Sequence, residues 1–304
     1  MEKFEVTILG CGSALPTTKH YASSQVINLR DKLYMIDCGE GAQMQLRRSK
    51  LKFSRLNHIF ISHLHGDHCF GLIGLISTFG LLGRTSTLHV YAPKEFGDIL
   101  NMQLDFFCKG MTYPVEFHPI DTTQHNIIFE DRSVSVYSIP LHHRIPCCGF
   151  LFKEKEMLPH IRRDMIDFYQ IPTYAINNIK NGEDWTTPEG KAVSYKLLTY
   201  PADASRSYAY CSDTLYLPEI GKYLQNVDLL FHEATFLQAD HVRAKETCHS
   251  TAQQAAQLAK DCHAKTLCIG HFSARYENEN ELLAEARQIF PSTILAKENL
   301  VIKI

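Results

Sequence analysis

The sequence has no C-x-x-C pair, no apolar run long enough to span a bilayer, no excess of either charge and only one tryptophan, Trp185. Its ten cysteines, at 11, 38, 69, 108, 147, 148, 211, 248, 262 and 268, are scattered and form no disulfide framework. They read as reduced thiols, mostly buried as small apolar residues. The longest apolar stretch, CFGLIGLISTFGLLG, has 15 residues and four glycines, short of the roughly 20 that a membrane span needs. A net charge of −2 supplies no global field for nucleic acid and leaves local basic contacts open. The start, MEKFEVTILGCG, reads as a first strand without the basic and apolar regions of a secretory signal. Together these absences lead us to expect a cytoplasmic protein with no membrane association.

What is present is a globular composition: 304 residues, 45% apolar and 21% charged, enough for a sizeable core. Strands are expected at 4–10, 23–29, 32–38, 58–63, 87–93 and 133–139, with helices after CGEG and over FGLIGLISTFGLL. The second half repeats the theme, with strands at 207–213, 227–235 and 265–272 and helices over 251–262 and 279–290. This alternation predicts layered α/β architecture. Residues 153–195 differ: they are polar, weakly periodic and carry three prolines, so we expect a loop-rich inserted arm within one domain spanning 1–304.

The chemistry is concentrated in ISHLHGDHCFG, residues 61–71. His63 and His65 alternate onto one side of an extended segment. Gly66 is expected to let the chain turn sharply, so that Asp67 and His68 face the same space. Imidazoles and a carboxylate without thiolates suit zinc, with manganese or iron as second choices. Four ligands from so short a loop suit two ions better than one, and further ligands must come from other strand ends. IPLHHRIP offers His143 or its neighbour His142, only one of which can face the site. Asp213 ends YAYCSD and His271 ends TLCIGH. A carboxylate such as Asp213 is able to bridge two ions.

At these residues the chain resembles the metallo-β-lactamase superfamily, whose hallmark is HxHxDH followed by a later His, Asp and His. More narrowly it resembles the ribonuclease Z family of tRNA 3′-processing endonucleases, on GCGSALPT, IDCGEGAQMQL, ISHLHGDHCFGL, LHHRIPCCGF, SDT, FHEATF, CHST, IGHFSARY and EARQIF, which run over nearly the whole chain. The resemblance implies a four-layer αββα sandwich with an inserted substrate-binding arm. It implies two zinc ions per subunit (manganese the second choice): one on His63, His65 and His143, the other on Asp67, His68 and His271, with Asp213 bridging. It also selects His143 over His142, and likens Asp37 to an aspartate that supports the ligands; an N-cap for the following helix is the other role open to Asp37.

The resemblance further implies removal of the 3′ trailer from precursor tRNA, and a homodimer. Glu233 and His249 match residues implicated in proton transfer, and a carboxylate beside an imidazole does raise its pKa and keep it a proton donor. Asp67 could accept the proton of the attacking water. Arg275 and Lys19 are candidate substrate contacts, His232 is read as structural, and Ser250 as the cap of helix 251–262. The basic run RRSKLKFSR, 47–55, could line a tRNA path.

The chain also departs from the family pattern. PTTKHYASS has His20 and Tyr21 where the family's PTKxRN carries Arg and Asn, Cys147 stands where Ser is usual, and residues 153–191 hold six basic against seven acidic residues. These departures keep open a zinc phosphodiesterase or arylsulfatase of the same fold acting on small substrates. A di-iron redox protein is opposed by His65, where such sites place glutamate.

Overall fold

The computed structural model describes residues 2–304. Eighteen strands follow one another among them: β1 (Phe4–Gly10), β2 (Ser24–Leu29), β3 (Lys32–Cys38), β4 (Leu56–Phe60), β5 (Leu88–Pro93), β6 (Val115–Ile120), β7 (Ile127–Glu130), β8 (Val134–Pro140), β9 (Cys148–Glu154), β10 (His160–Ile161), β11 (Trp185–Thr186), β12 (Ala192–Val193), β13 (Thr199–Tyr200), β14 (Ser207–Cys211), β15 (Leu229–Glu233), β16 (Thr266–Gly270), β17 (Thr293–Leu295) and β18 (Val301–Lys303). Two seven-stranded sheets carry the fold. One runs β18-β1-β2-β3-β4-β5-β6 and the other β17-β16-β15-β14-β9-β8-β7.

Period-2 alternation divides the first sheet's side chains between two cores. Tyr34, Ile36, Phe60 and Tyr91 face inward and pack with Phe150, Phe152, Tyr208 and Tyr210 of the second sheet. Leu33, Met35, Ile59 and Val90 face outward against Leu46, Leu72, Leu75 and Phe79 of helices Ala42–Arg48 and Leu72–Leu81. Helix Ala252–Asp261 packs Ala255, Ala256, Leu258 and Ala259 against the second sheet. The layers are therefore helix, sheet, sheet, helix, as expected.

Parallel pairing aims the strand ends. Strands β3 to β6 run parallel in the first sheet, and β14 to β17 in the second, so loops following β3, β4, β14, β15 and β16 gather as ligand-binding loops of α/β sheets do. Two glycines let neighbouring loops interlock there. A Cβ on Gly39 would stand 2.2 Å from the Asp67 carbonyl oxygen, and one on Gly71 2.2 Å from that of Gly39. Gly66 turns the chain by opening a short helix, Gly66–Cys69, without a positive φ, and a Cβ there would strike the Phe70 ring. Helical turn, not a glycine-only conformation, presents Asp67 and His68.

Residues 154–205 form a compact unit of their own. Helices Arg163–Phe168 and Thr173–Lys180 and two two-stranded ribbons, β10-β13 and β11-β12, surround Ile171, Ala175, Ile179, Val193 and Leu198. The segment is thus more ordered than a loop-rich reading expects, and extends ten residues beyond 195. Its apolar positions are too sparse to show strong periodicity, yet sufficient for a small core. All ten cysteines are free, nine of them buried. Among the described residues no helix is long and apolar enough to cross a membrane.

Candidate active site

Seven side chains from four loops, those after β4, β8, β14 and β16, converge at the gathered strand ends. His63 Nε2 lies 3.0 Å from His65 Nδ1, which lies 3.3 Å from His143 Nε2. Asp213 Oδ2 completes this set at 3.6 Å from His63 and 3.7 Å from His143. A second set forms around the other oxygen of the same carboxylate. Asp213 Oδ1 is 3.3 Å from His68 Nε2 and 3.1 Å from His271 Nε2, and Asp67 Oδ2 lies 3.4 and 3.7 Å from these nitrogens. Arms of about 2.0–2.1 Å around a tetrahedral ion hold its donors about 3.3–3.4 Å apart. Both sets have that spacing, and Asp213 offers one oxygen to each.

Buried Asp67 Oδ2, His68 Nε2 and His271 Nε2 have no hydrogen-bond partner. Polar atoms buried without partners are costly, and three aimed at one point fit a cation. The charge balance agrees. Burial opposes a charge on His68, but Asp213, Asp37 and Asp67 together push it well above the usual imidazole range. Burial would likewise raise Asp213, but His271, His68 and His63 hold it well below the usual carboxylate range. The pocket is built for more positive charge than one neutral imidazole set carries.

An outer layer orients these donors through their other nitrogens. His68 Nδ1 donates to Asp37 Oδ2 at 2.7 Å, and His143 Nδ1 donates to the Cys248 carbonyl at 3.0 Å. The His63 Nδ1–Ser62 Oγ distance is 3.0 Å, and Ser62 Oγ donates to Asp37 Oδ2 at 2.9 Å. Asp37 also accepts from Ser62 N–H and Tyr210 O–H, each at 2.8 Å. It is therefore no helix cap: Gly41 occupies that position. Asp37, Asp213 and His271 all have φ near +60°, a costly conformation for non-glycine residues that persists where the surroundings over-determine it.

Beside the metal-type donors, Glu233 Oε1 accepts from His249 Nδ1 at 2.9 Å and from Thr214 N–H at 2.7 Å. Burial opposes the His249 charge, but Glu233 outweighs it and pushes the pKa up to about 9. Thr235 Oγ1 donates to Glu233 Oε2 and lies 3.0 Å from His271 Nδ1, joining the pair to the ligand candidates. His249, Asp213, His65 and His143 line a cleft of about 770 Å³ with Leu15, Phe70 and Arg144.

Other expected residues lie elsewhere. Arg275 pairs with Asp240 at 3.1 Å over the Phe236 ring, and Lys19 is held by the Glu279 carboxylate and, at 2.7 Å, the Glu277 carbonyl. Neither lines the cleft. Arg144, which follows His143, does, and was legible only as a neighbour of a ligand. The Ser250 cap expectation fails: Thr251 caps helix Ala252–Asp261 in a reciprocal box with Gln254, while Ser250 Oγ donates to the Thr214 carbonyl. His232 is buried, its Nδ1 2.7 Å from the Glu233 carbonyl, outside both donor sets.

Comparison with known proteins agrees with this geometry. A family model described as "Beta-lactamase superfamily domain" matches residues 176–272, and one described as "Anti-Pycsar protein Apyc1" matches residues 4–159. Full-length relatives decide more finely. Ribonuclease Z of Bacteroides fragilis is 64% identical over 304 residues, all of both chains. The chain belongs to the ribonuclease Z family. Ribonuclease Z of Porphyromonas gingivalis is 56% identical, again over all of both chains. The crystal structure of human tRNase Z, short form, is similar with a TM-score of 0.70 and 28% identity over 98% of each chain. The chain is accordingly a hydrolytic endonuclease with the metallo-β-lactamase fold, which implies a dinuclear metal centre that the two donor sets fit.

Proposed function

We propose that the chain is a zinc-dependent endoribonuclease that removes the 3′ trailer from precursor tRNA, leaving a 3′-hydroxyl on the tRNA and a 5′-phosphate on the trailer. The observation that carries this reading is the pair of donor sets sharing Asp213, beside the Glu233–His249 pair in one cleft. In it, His63, His65 and His143 would hold one ion and Asp67, His68 and His271 the other, with Asp213 offering one oxygen to each. Nitrogen and carboxylate donors without thiolate favour zinc, with manganese as the second choice. When bound, the ions supply Lewis acidity at the phosphate and a lowered pKa for water.

The chain's own groups do the proton work. Asp67 accepts the proton of the water that attacks phosphorus. His249, kept charged by Glu233, donates to the departing ribose 3′-oxygen. Thr214 N–H and Thr235 Oγ hold the Glu233 carboxylate in place for this. Arg144, at the cleft wall, is placed to neutralise a phosphate oxygen.

A tRNA path is supported beside the cleft, where Arg48 from the basic run 47–55 donates to the Tyr21 hydroxyl at 2.7 Å and stacks over its ring; Tyr21 itself lines the cleft. Residues 154–205, a unit with its own small core, serve in this reading as the substrate arm, and Lys19 holds the loop whose Thr17 and His20 line the cleft. Ile99, Met102 and Phe106 form an exposed stripe at helical spacing on helix Phe96–Phe107, with Phe107 against Phe106; such a patch marks an interaction face and supports a homodimer. Ten free thiols suit a reducing cytoplasm.

The test is competition between substrate classes. Zinc-loaded protein should cut a tRNA precursor bearing a 3′ trailer. Turnover of bis-p-nitrophenyl phosphate without cleavage of the precursor would replace the tRNA reading with that of a small-substrate phosphodiesterase.

A further inference from the structure

Three further donors converge on strands β5 and β6, at the β6 edge of the first sheet. In the parallel register His58 pairs with His89, His89 with Glu116, and Tyr91 with His118. Residues 116 and 118 are two apart, so both share the face of His89. His58 lies five residues before His63, about 16 Å along an extended chain, so this cluster is separate from the catalytic one.

Two of the three donor spacings fall within the range of the catalytic sets. His89 Nδ1 is 3.0 Å from His118 Nε2, and Glu116 Oε2 is 3.3 Å from the first and 4.0 Å from the second. The catalytic imidazoles stand 3.0 and 3.3 Å apart. Both rings are pinned from behind. His58 stacks on His89 at 4.9 Å and 11°, and Tyr91 on His118 at 4.5 Å and 14°. Side-chain exposures of 27% for His89, 38% for His118 and 55% for Glu116 leave the cluster open to ions from solvent, with room for water as a fourth ligand.

We propose that His89, Glu116 and His118 form a third cation site, for zinc or a similar borderline divalent ion, that ties the edge strand β6 to β5. Three protein donors, two imidazole and one carboxylate, plus water is an ordinary zinc complement. The competing account is a hydrogen bond between two neutral imidazoles, with Glu116 accepting from solvent. That account predicts no ion.

The test counts zinc per chain by elemental analysis after equilibration with micromolar free zinc, in wild type, His89→Gln and His118→Gln. The proposal expects each variant to hold one ion fewer than wild type, and zinc to raise the melting temperature of wild type more than that of either variant. The loss of one ion between wild type and variant is the first readout and does not depend on the catalytic count; the wild-type total is the second. Should a variant misfold, wild type holding one ion beyond the catalytic complement supports the site. Equal zinc in wild type and both variants overturns it, as does a wild type with only the catalytic ions.

Discussion

Asp37 ties the two donor sets together, so its replacement tests the geometry of the whole centre. Its Oδ2 accepts from His68 Nδ1, from Tyr210 O–H and from Ser62 Oγ, which itself receives His63; Oδ1 accepts the Ser62 N–H. His68 belongs to one set and His63 to the other. Asp37→Asn keeps the shape, and asparagine tolerates the residue's φ of +56°. Its best orientation leaves the carboxamide oxygen on the three donors and turns NH2 against the Ser62 N–H. One buried backbone donor is then unsatisfied, and the bonds to His68 and Tyr210 lose their charge. The sum is on the order of 3 kcal/mol of stability, since bonds to charged groups contribute about 1.5–3 kcal/mol and an orphaned buried donor costs about 1–3 kcal/mol. Zinc affinity should fall roughly 10–100-fold, for the ions of both sets. Urea unfolding and competition against a chelating dye measure the two quantities. Zinc affinity within about threefold of wild type, together with unchanged stability, would refute the argument that Asp37 orients both sets.

Other consequences concern the bridge, the proton donor and the loop. Asp213→Asn should lose at least one ion per chain and more than about 100-fold in precursor cleavage; full zinc content with full activity would remove the bridging role. His249→Gln should slow precursor cleavage by about 10²–10⁴-fold but barely affect bis-p-nitrophenyl phosphate, whose p-nitrophenolate departs without a proton; equal losses on both substrates would contradict the acid assignment. His20 sits between Glu298 at 3.2 Å and Glu279 at 3.1 Å, beside the Cys11 thiol, with Lys19 also on Glu279. Bonding to Glu298 outweighs burial and raises its pKa. A raised imidazole pKa adds stability that is fully present below its unfolded value of about 6.5 and is lost as pH rises through the folded value. Wild type should therefore exceed His20→Gln in urea stability most at acid to neutral pH, and the gap should close in alkali; a gap that widens with pH contradicts the network.

Legibility followed the range of the interactions. ISHLHGDH was readable because its candidate donors lie within six residues, and Asp213 and His271 because each follows a strand end; the choice of His143 over His142 came from the family resemblance. Layered α/β architecture followed from strand and helix alternation, and its four-layer αββα form from the family resemblance. What stayed hidden depends on partners distant in the chain: Tyr210 and Ser62 on Asp37, Thr235 between Glu233 and His271, and the Cys248 carbonyl on His143. No local pattern encodes these. The role of Ser250 was misjudged for a related reason. Serine suits a helix cap, but its neighbours decide the position: Thr251 with Gln254 makes the better cap. His20 and Tyr21 depart from the family pattern, yet they have partners here in Glu298, Glu279 and Arg48.

The central claim is endonucleolytic removal of a tRNA 3′ trailer, and its most direct test is the chemistry of the cut ends. A precursor labelled at its 5′ end is incubated with the zinc-loaded chain, and both products are sized and end-analysed. The account predicts one cut at the trailer junction, with a 3′-hydroxyl on the tRNA and a 5′-phosphate on the trailer. Stepwise shortening of the trailer, a 2′,3′-cyclic phosphate on the tRNA, or an intact precursor would contradict it.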